Sequence, residues 1–129
     1  MRRSLHPAGW TWAKNLSHDL GIQVDDTIWV SGMVAFNPTG DIVGVGDMRV
    51  QADQVFANLA AVLAEAGATM DDVVKITAWL TDMDRYSEYN DSRAAAFTGR
   101  LPASATVHSP RLVRDGLLVE VEAVAVLGT

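Results

Sequence analysis

The sequence predicts an α+β protein in which two helices pack on one face of a mixed six-stranded sheet. Several short segments alternate apolar and polar residues, and two longer segments carry apolar residues at helical spacing. These segments follow the order three strands, helix, strand, helix, two strands, which favours an α+β sandwich with both helices on one face of a mixed sheet. The chain has 129 residues and no cysteine, so residues 1–129 are expected to form one domain with a core that needs no disulfides.

The first well-defined strand is predicted over residues 27–35. This segment is rich in β-branched and aromatic residues on both faces, which is typical of a strand covered on both sides. Gly32 interrupts it and indicates a bulge or a close approach of another group to the backbone. Turn-forming residues at 37–40 predict a reversal, and residues 42–45 are expected to form a short return strand.

A helix is predicted from Asp47 to Ala66, with Gly67 placed to end it. Residues 71–81 then alternate and predict a strand packed on that helix. The apolar residues expected to face the core are Val55, Leu59, Val62, Leu63 and Ala66 of the helix and Val74, Ile76, Ala78 and Leu80 of the strand.

A second helix is expected to start with Asp82 or Asp84 as its N-terminal cap and to end at Gly99 and Pro102. Its predicted apolar face consists of Tyr86, Tyr89, Ala94 and Phe97. Two strands follow, over residues 104–109 and 117–126.

The last of these strands places two carboxyl groups on one face. Side chains alternate in a strand, so Glu120 and Glu122 share a half-apolar face while Val119, Val121, Ala123 and Ala125 lie on the other. A carboxylate in such a place must be solvated, paired or hydrogen-bonded, or its pKa rises until it is neutral. Either glutamate is therefore a candidate acid, and the alternative is a glutamate in water or in a salt bridge between subunits.

Composition excludes several classes of function. Ten Lys and Arg against sixteen Asp and Glu give a net charge of −6, the wrong sign for tracking a phosphate backbone, so no nucleic-acid partner is expected. No apolar run suits a signal peptide or a membrane span, which predicts a cytoplasmic protein without a membrane partner. The three histidines show no metal-ligand spacing. A hydrophobic content of 49% in so small a domain favours an oligomer.

The segment Pro102-Ala103-x-x-x-Val107, followed by a hairpin and Val119-Glu120-Val121-Glu122-Ala123-Val124-Ala125, resembles the C-terminal signature of the RidA (YjgF, L-PSP) family. Ser31-Gly32 and the segment from Tyr89-Asn90 to Phe97 match that family in order and spacing. The resemblance implies a chorismate-mutase-like fold and a homotrimer whose sheets form a central barrel. It also implies an enamine/imine deaminase of metabolite damage control, which hydrolyses a small-molecule substrate in the cleft between subunits to a ketone or keto acid and ammonia, without metal or cofactor.

The same resemblance suggests site residues. Glu122 falls on the family's acid near the water and leaves Glu120 a structural role, while Thr106 takes the place of a cysteine that touches the substrate. The remaining correspondences are Ser31, Gly32, Asn90 and, at a position usually aromatic, His18. Each has a structural alternative: Asn90 can hold a backbone group, His18 can lie on the surface, Thr106 can simply favour the strand, and Ser31-Gly32 can serve packing.

Ser104 departs from the family, which usually has there an arginine that grips the substrate carboxylate. A serine offers one uncharged donor in place of two charge-assisted hydrogen bonds. Either Arg111 or Arg114, on the last hairpin, replaces that arginine, or the substrate carries no carboxylate there; Arg100 is a third source. The loss also leaves open a different class of function, a non-catalytic trimer that binds a small metabolite or a partner protein.

Overall fold

The computed structural model describes residues 1–129 and confirms the predicted α+β architecture. One six-stranded sheet has the order β1-β2-β3-β6-β4-β5, in which β4 and β5 are parallel and the other neighbours antiparallel. The elements are β1 (Arg2–Leu5), β2 (Gly21–Val24), β3 (Thr27–Met33), α1 (Met48–Ala64), β4 (Val73–Leu80), α2 (Tyr86–Ala96), β5 (Ala103–His108) and β6 (Val119–Val126). No helix is long and apolar enough to cross a membrane.

Helix α1 forms the centre of the core, and capping residues mark its two ends. The Asp47 carboxylate accepts a hydrogen bond from the Val50 backbone N–H at 3.0 Å, which satisfies one of the free donors of the first turn. Gly67 follows the helix with a φ of +71°, the left-handed conformation expected of a terminating glycine. Val55, Leu59, Val62 and Leu63 are buried as predicted, so α1 covers the inner face of the sheet.

Two buried amides of α1 hold the loops that surround the sheet. The Gln51 side chain donates to the carbonyl oxygens of Gly44 and Gly116, at 3.2 and 2.8 Å, and accepts from the Leu118 backbone N–H at 2.8 Å. The Asn58 side chain donates to the carbonyl oxygens of Val34 and Phe36, at 3.0 and 2.9 Å. The loop after β3 and the loop between β5 and β6 are therefore attached to one rigid helix.

Two predictions about strands are wrong in detail, and a third, the covering of β3 on both faces, is not met within a single chain. Residues 42–45 form only an isolated bridge between Ile42 and Phe36, because Gly44 and Gly46 turn the chain towards the start of α1 with positive φ angles. Val74 is exposed, since the register between β4 and β6 shifts at this point and Val73 takes the core position. Within one chain β3 is covered on one face only, and Trp29 on the other face is 47% exposed.

The structure also corrects the predicted apolar face of α2. Tyr89 and Phe97 are buried against Phe56 of α1, with ring centroids 6.0 and 5.7 Å from that of Phe56. Tyr86 and Ala94 are exposed instead, because α2 lies at the edge of the domain and only part of its circumference meets α1. Asp82, the first of the two predicted caps, accepts from the Asp84 backbone N–H at the turn before the helix.

The face of the sheet opposite the helices is open in the single chain. In β6 the predicted alternation is confirmed: Val119, Val121, Ala123 and Ala125 are buried beneath the helices, whereas Glu120, Glu122, Val124 and Val126 lie on the open face. Trp29 is paired with Val124 across β3 and β6, and Trp79 with Glu120 across β4 and β6. The open face thus combines large apolar side chains with two carboxyl groups.

The role of Gln51 can be tested by substitution. Gln51→Leu keeps the side-chain volume but leaves the Gly116 carbonyl and the Leu118 N–H unpaired, while the Gly44 carbonyl keeps its bond from the Asp47 N–H. We therefore expect the free energy of unfolding to fall by about 2–4 kcal/mol. Urea denaturation followed by circular dichroism measures this change. Gln23→Leu is the control, because the Gln23 amide donates one hydrogen bond at the surface; an equal loss in the two variants would contradict the assigned role.

Candidate active site

The structure distributes the predicted site residues between two clefts. The glutamate cleft has a volume of about 700 Å³ and brings together His18, Ser31, Gly32, Glu120 and Glu122. The α2 cleft, of about 690 Å³, brings together Asn90, Ser104 and Thr106. Arg111 lines neither cleft, and its side chain is exposed.

Strand register explains why the residues separate. In β5, Ser104 and Thr106 are paired with Ile76 and Ala78 of β4, whose side chains are buried under the helices. In β6, Glu122 and Glu120 are paired with Thr77 and Trp79 of β4. These two residues alternate with Ile76 and Ala78, so their side chains lie on the opposite face. Paired residues project to the same side of a sheet, so the two sets lie on opposite faces and cannot meet within one chain.

Glu120 is the more constrained of the two glutamates. Its half-buried carboxyl lies against the backbone of Gly32, and a Cβ atom at that position would overlap with it. The pairing of β3 with β6 is irregular between Val30 and Met33, which confirms both a bulge and a close approach at the predicted glycine. Burial raises the pKa of the Glu120 carboxyl above its ordinary value, and repulsion from the Glu122 carboxylate raises that pKa further.

Ser31 holds the wall of the glutamate cleft. Its hydroxyl donates to the Asp19 carbonyl oxygen at 2.6 Å, and its backbone N–H donates to the Leu20 carbonyl oxygen at 2.9 Å. These two bonds fasten the segment that carries His18, whose exposed side chain lies at the rim of the cleft. The Ser31 proton is therefore engaged in positioning, while its oxygen can still accept a hydrogen bond.

Of the arginines considered from sequence, Arg114 lies in the glutamate cleft. Its guanidinium stacks over the Phe36 ring at 4.3 Å and donates to the Gly40 carbonyl oxygen at 2.6 Å. Arg100 instead donates to the carbonyl oxygen of Thr129 at 2.7 Å. Arg114 is thus a fixed cation on the same cleft as the two glutamates.

Arg93, which is not among the residues predicted from the sequence, is the one charged side chain that lines the α2 cleft. Its guanidinium donates to the Ser104 hydroxyl oxygen at 2.8 Å, to the Tyr86 hydroxyl oxygen at 2.7 Å and to the Asn90 amide oxygen at 2.7 Å. A signal was present, because Arg93 follows Asn90 by three residues and so lies beside it on the same helical face.

The environment of Glu120 leads to a prediction about pH. A raised pKa means that the fold favours the protonated carboxyl, so its contribution to stability is complete below its ordinary pKa of 4.5 and is lost as pH rises through the higher folded-state pKa. Glu120→Gln stays neutral, and we therefore expect this variant to gain stability relative to wild type between pH 4.5 and pH 8. Urea denaturation at both pH values and one protein concentration measures the difference. Glu65→Gln, at an exposed site, should show no such trend; a constant difference for Glu120→Gln would contradict the assigned environment.

The similarity to known proteins covers nearly the whole chain. Residues 12–127 match the family model described as Endoribonuclease L-PSP. A RutC family protein of Pyrococcus abyssi is 39% identical over 105 residues, which cover 81% of each chain. The 2-iminobutanoate/2-iminopropanoate deaminase of Mus musculus is 38% identical over 107 residues, which cover 83% of this chain and 78% of the mouse protein.

Solved structures show the same fold. The YyfA protein of Yersinia pestis, described as a member of the conserved Rid protein family of unknown function, superposes with a TM-score of 0.88 at 33% identity and covers 98% of this chain and 100% of its own. The YjgF gene product of E. coli superposes with a TM-score of 0.83 at 30% identity, over 89% and 91% of the two chains. Sequence and fold agree, and the chain belongs to the L-PSP family, also called the YjgF/RidA/RutC family.

Proposed function

We propose that this protein hydrolyses reactive enamines and imines to ketones or keto acids and ammonia. The observation that carries the proposal is the Glu120 carboxyl, half-buried with a raised pKa beside Glu122 in an open cleft. A carboxyl of this kind holds a proton nearer to neutral pH than an ordinary glutamate does, as a general acid requires. The similarity to the mouse deaminase supports the same reaction.

The two glutamates can divide the chemistry between them. Protonation of the imine nitrogen by Glu120 makes the imine carbon electrophilic, and the exposed Glu122 accepts a proton from the water that attacks this carbon. The carbon–nitrogen bond of the resulting carbinolamine then breaks as the nitrogen takes the proton held by Glu122 and leaves as ammonia. The carbinolamine hydroxyl gives its proton to Glu120 and becomes the carbonyl, so both carboxyl groups return to their starting states. This scheme keeps the predicted water-handling role of Glu122 and gives Glu120 the proton-donating one. It requires neither a metal nor a cofactor.

We infer that the complete site forms between subunits of a homotrimer. The family is typically homotrimeric, and the open sheet face, with Trp29 and Trp79, offers apolar surface for assembly. The glutamate cleft of one subunit would then meet the α2 cleft of the next, which would bring Ser31, Glu120 and Glu122 towards Asn90, Ser104 and Thr106. Such an arrangement explains how residues on opposite faces of one sheet can serve one substrate.

Charge argues against ribonuclease action, despite the description that the family model carries. The chain has a net charge of −6, and the glutamate cleft presents two carboxyl groups to a ligand. Phosphate groups would be repelled there. A small imine is a better match for a cleft of this size and charge, and a cytoplasmic protein would meet such imines where amino acids are metabolised.

The proposal is tested by ammonia release from freshly generated 2-iminobutanoate. We expect Glu120→Gln to reduce kcat by at least about 100-fold, because general acid catalysis contributes on this order. Asp72→Asn is a control on the far side of the domain, where Asp72 accepts only from the Thr69 backbone N–H. Turnover by wild type no faster than in buffer would reject the activity on this substrate and favour the alternative of a non-catalytic trimer that binds a metabolite or a partner protein.

A further inference from the structure

Arg93 is an uncompensated cation in the α2 cleft. None of the residues lining this cleft is an Asp or a Glu, and Arg93 forms no salt bridge with any carboxylate of the chain. Its three hydrogen-bond acceptors, on Ser104, Tyr86 and Asn90, are all neutral. The guanidinium is half-buried, and Arg93 Cζ lies 5.8 and 5.3 Å from the ring centroids of Tyr86 and Tyr89. A positive charge held in this way favours an anionic ligand.

The three hydrogen bonds that Arg93 donates also determine which donors its neighbours have free for a ligand. Arg93 occupies an acceptor site on each of Ser104, Tyr86 and Asn90, while the two hydroxyl protons and the Asn90 amide protons form no hydrogen bond within the chain. The Arg93 Nε–H and one Nη1–H are likewise unpaired. The cleft is therefore rich in donors, and a carboxylate, which only accepts, is a small group that matches it.

Tyr89 adds a second, independent observation beside Arg93. Its side chain is fully buried, yet its hydroxyl has no hydrogen-bond partner in the chain. Burial raises the pKa of this hydroxyl, so it remains a neutral donor at physiological pH. An unpaired buried hydroxyl destabilises the fold. The Tyr89 side chain lies next to Arg93 and Thr106, two residues that line the α2 cleft, so the buried wall behind the guanidinium is itself short of hydrogen-bond acceptors.

We propose that Arg93 binds the carboxylate of the substrate and selects 2-imino acids over imines that lack this group. The proposal rests on the imine hydrolysis proposed above. It assigns the specificity of that reaction to a residue of α2 rather than to position 104 of β5, where the family usually has its arginine. Ser104 and Asn90 are positioning residues in this account, because their oxygens hold the guanidinium at the mouth of the cleft. Arg111 and Arg114, the sequence-based candidates, lie outside the α2 cleft.

The test compares two substrates that differ only at this group, 2-iminobutanoate and butan-2-imine, in which a methyl group replaces the carboxylate. Arg93→Gln should raise KM for 2-iminobutanoate about 10- to 100-fold, the loss expected for hydrogen bonds to a charged group, with little change for butan-2-imine. Arg93→Lys, which keeps the charge without the planar fork, should retain part of the preference. Arg49→Gln is the matched control, because Arg49 is a helix arginine bonded to Asp53 away from both clefts.

A binding measurement separates this proposal from the proposed reaction. Isothermal titration with 2-oxobutanoate, the keto-acid product, should show binding to wild type and to Arg49→Gln, and binding at least about tenfold weaker to Arg93→Gln. Binding without any imine turnover would reject the reaction and leave the anion site standing. Turnover of 2-iminobutanoate with equal KM in wild type and Arg93→Gln, or equal affinity of the two for 2-oxobutanoate, would overturn the role of Arg93. If Arg93→Gln does not fold by circular dichroism, Arg93→Lys and Ser104→Ala, which weaken or release the guanidinium, are judged by the same two criteria.

Discussion

The one-sided covering of the sheet is the constraint on which the arrangement of the site depends. Helices α1 and α2 pack on one face, so the central strands bury one alternating set of apolar side chains there and leave the other set on the open face. In β6 this alternation leaves Glu120 and Glu122 on the open face beside Trp29 and Trp79. In β5, at the edge of the sheet, the alternation sends Ser104 and Thr106 to the helix side instead. One chain therefore presents two separate clefts.

The two clefts differ in the charge that they offer. The glutamate cleft contains a carboxyl pair in which burial raises the pKa of Glu120, with Arg114 held against Phe36 on the same cleft. The α2 cleft contains one cation and several unpaired donors, with Arg93 at their centre. An imine that carries a carboxylate has a basic nitrogen, which suits the carboxyl pair, and an anionic group, which suits Arg93. Joining the clefts across a subunit boundary would provide for both.

Much of this arrangement could be predicted from the sequence, and the errors have physical causes. Periodicity located α1, β4 and the alternation in β6, because those segments bury one continuous face. Periodicity did not locate β1, because the residues of that strand are exposed except for Leu5. It placed Val74 in the core, because the alternation of apolar residues in a sequence does not show a shift in strand register. Arg93 was missed because its spacing from Asn90 was the one local signal, and no local pattern shows its contact with Ser104, eleven residues away on another element.

The claim that one site is built from two subunits can be tested by mixing two variants with defects in different clefts. Glu120→Gln disables the glutamate cleft, and Ser104→Phe fills the α2 cleft at an exposed position. Each variant alone should be inactive, whereas unfolding and refolding them together in equal amounts should restore about a quarter of wild-type ammonia release, the share of intact interfaces in randomly assorted trimers. Activity no higher than in the separately refolded variants would contradict a shared site.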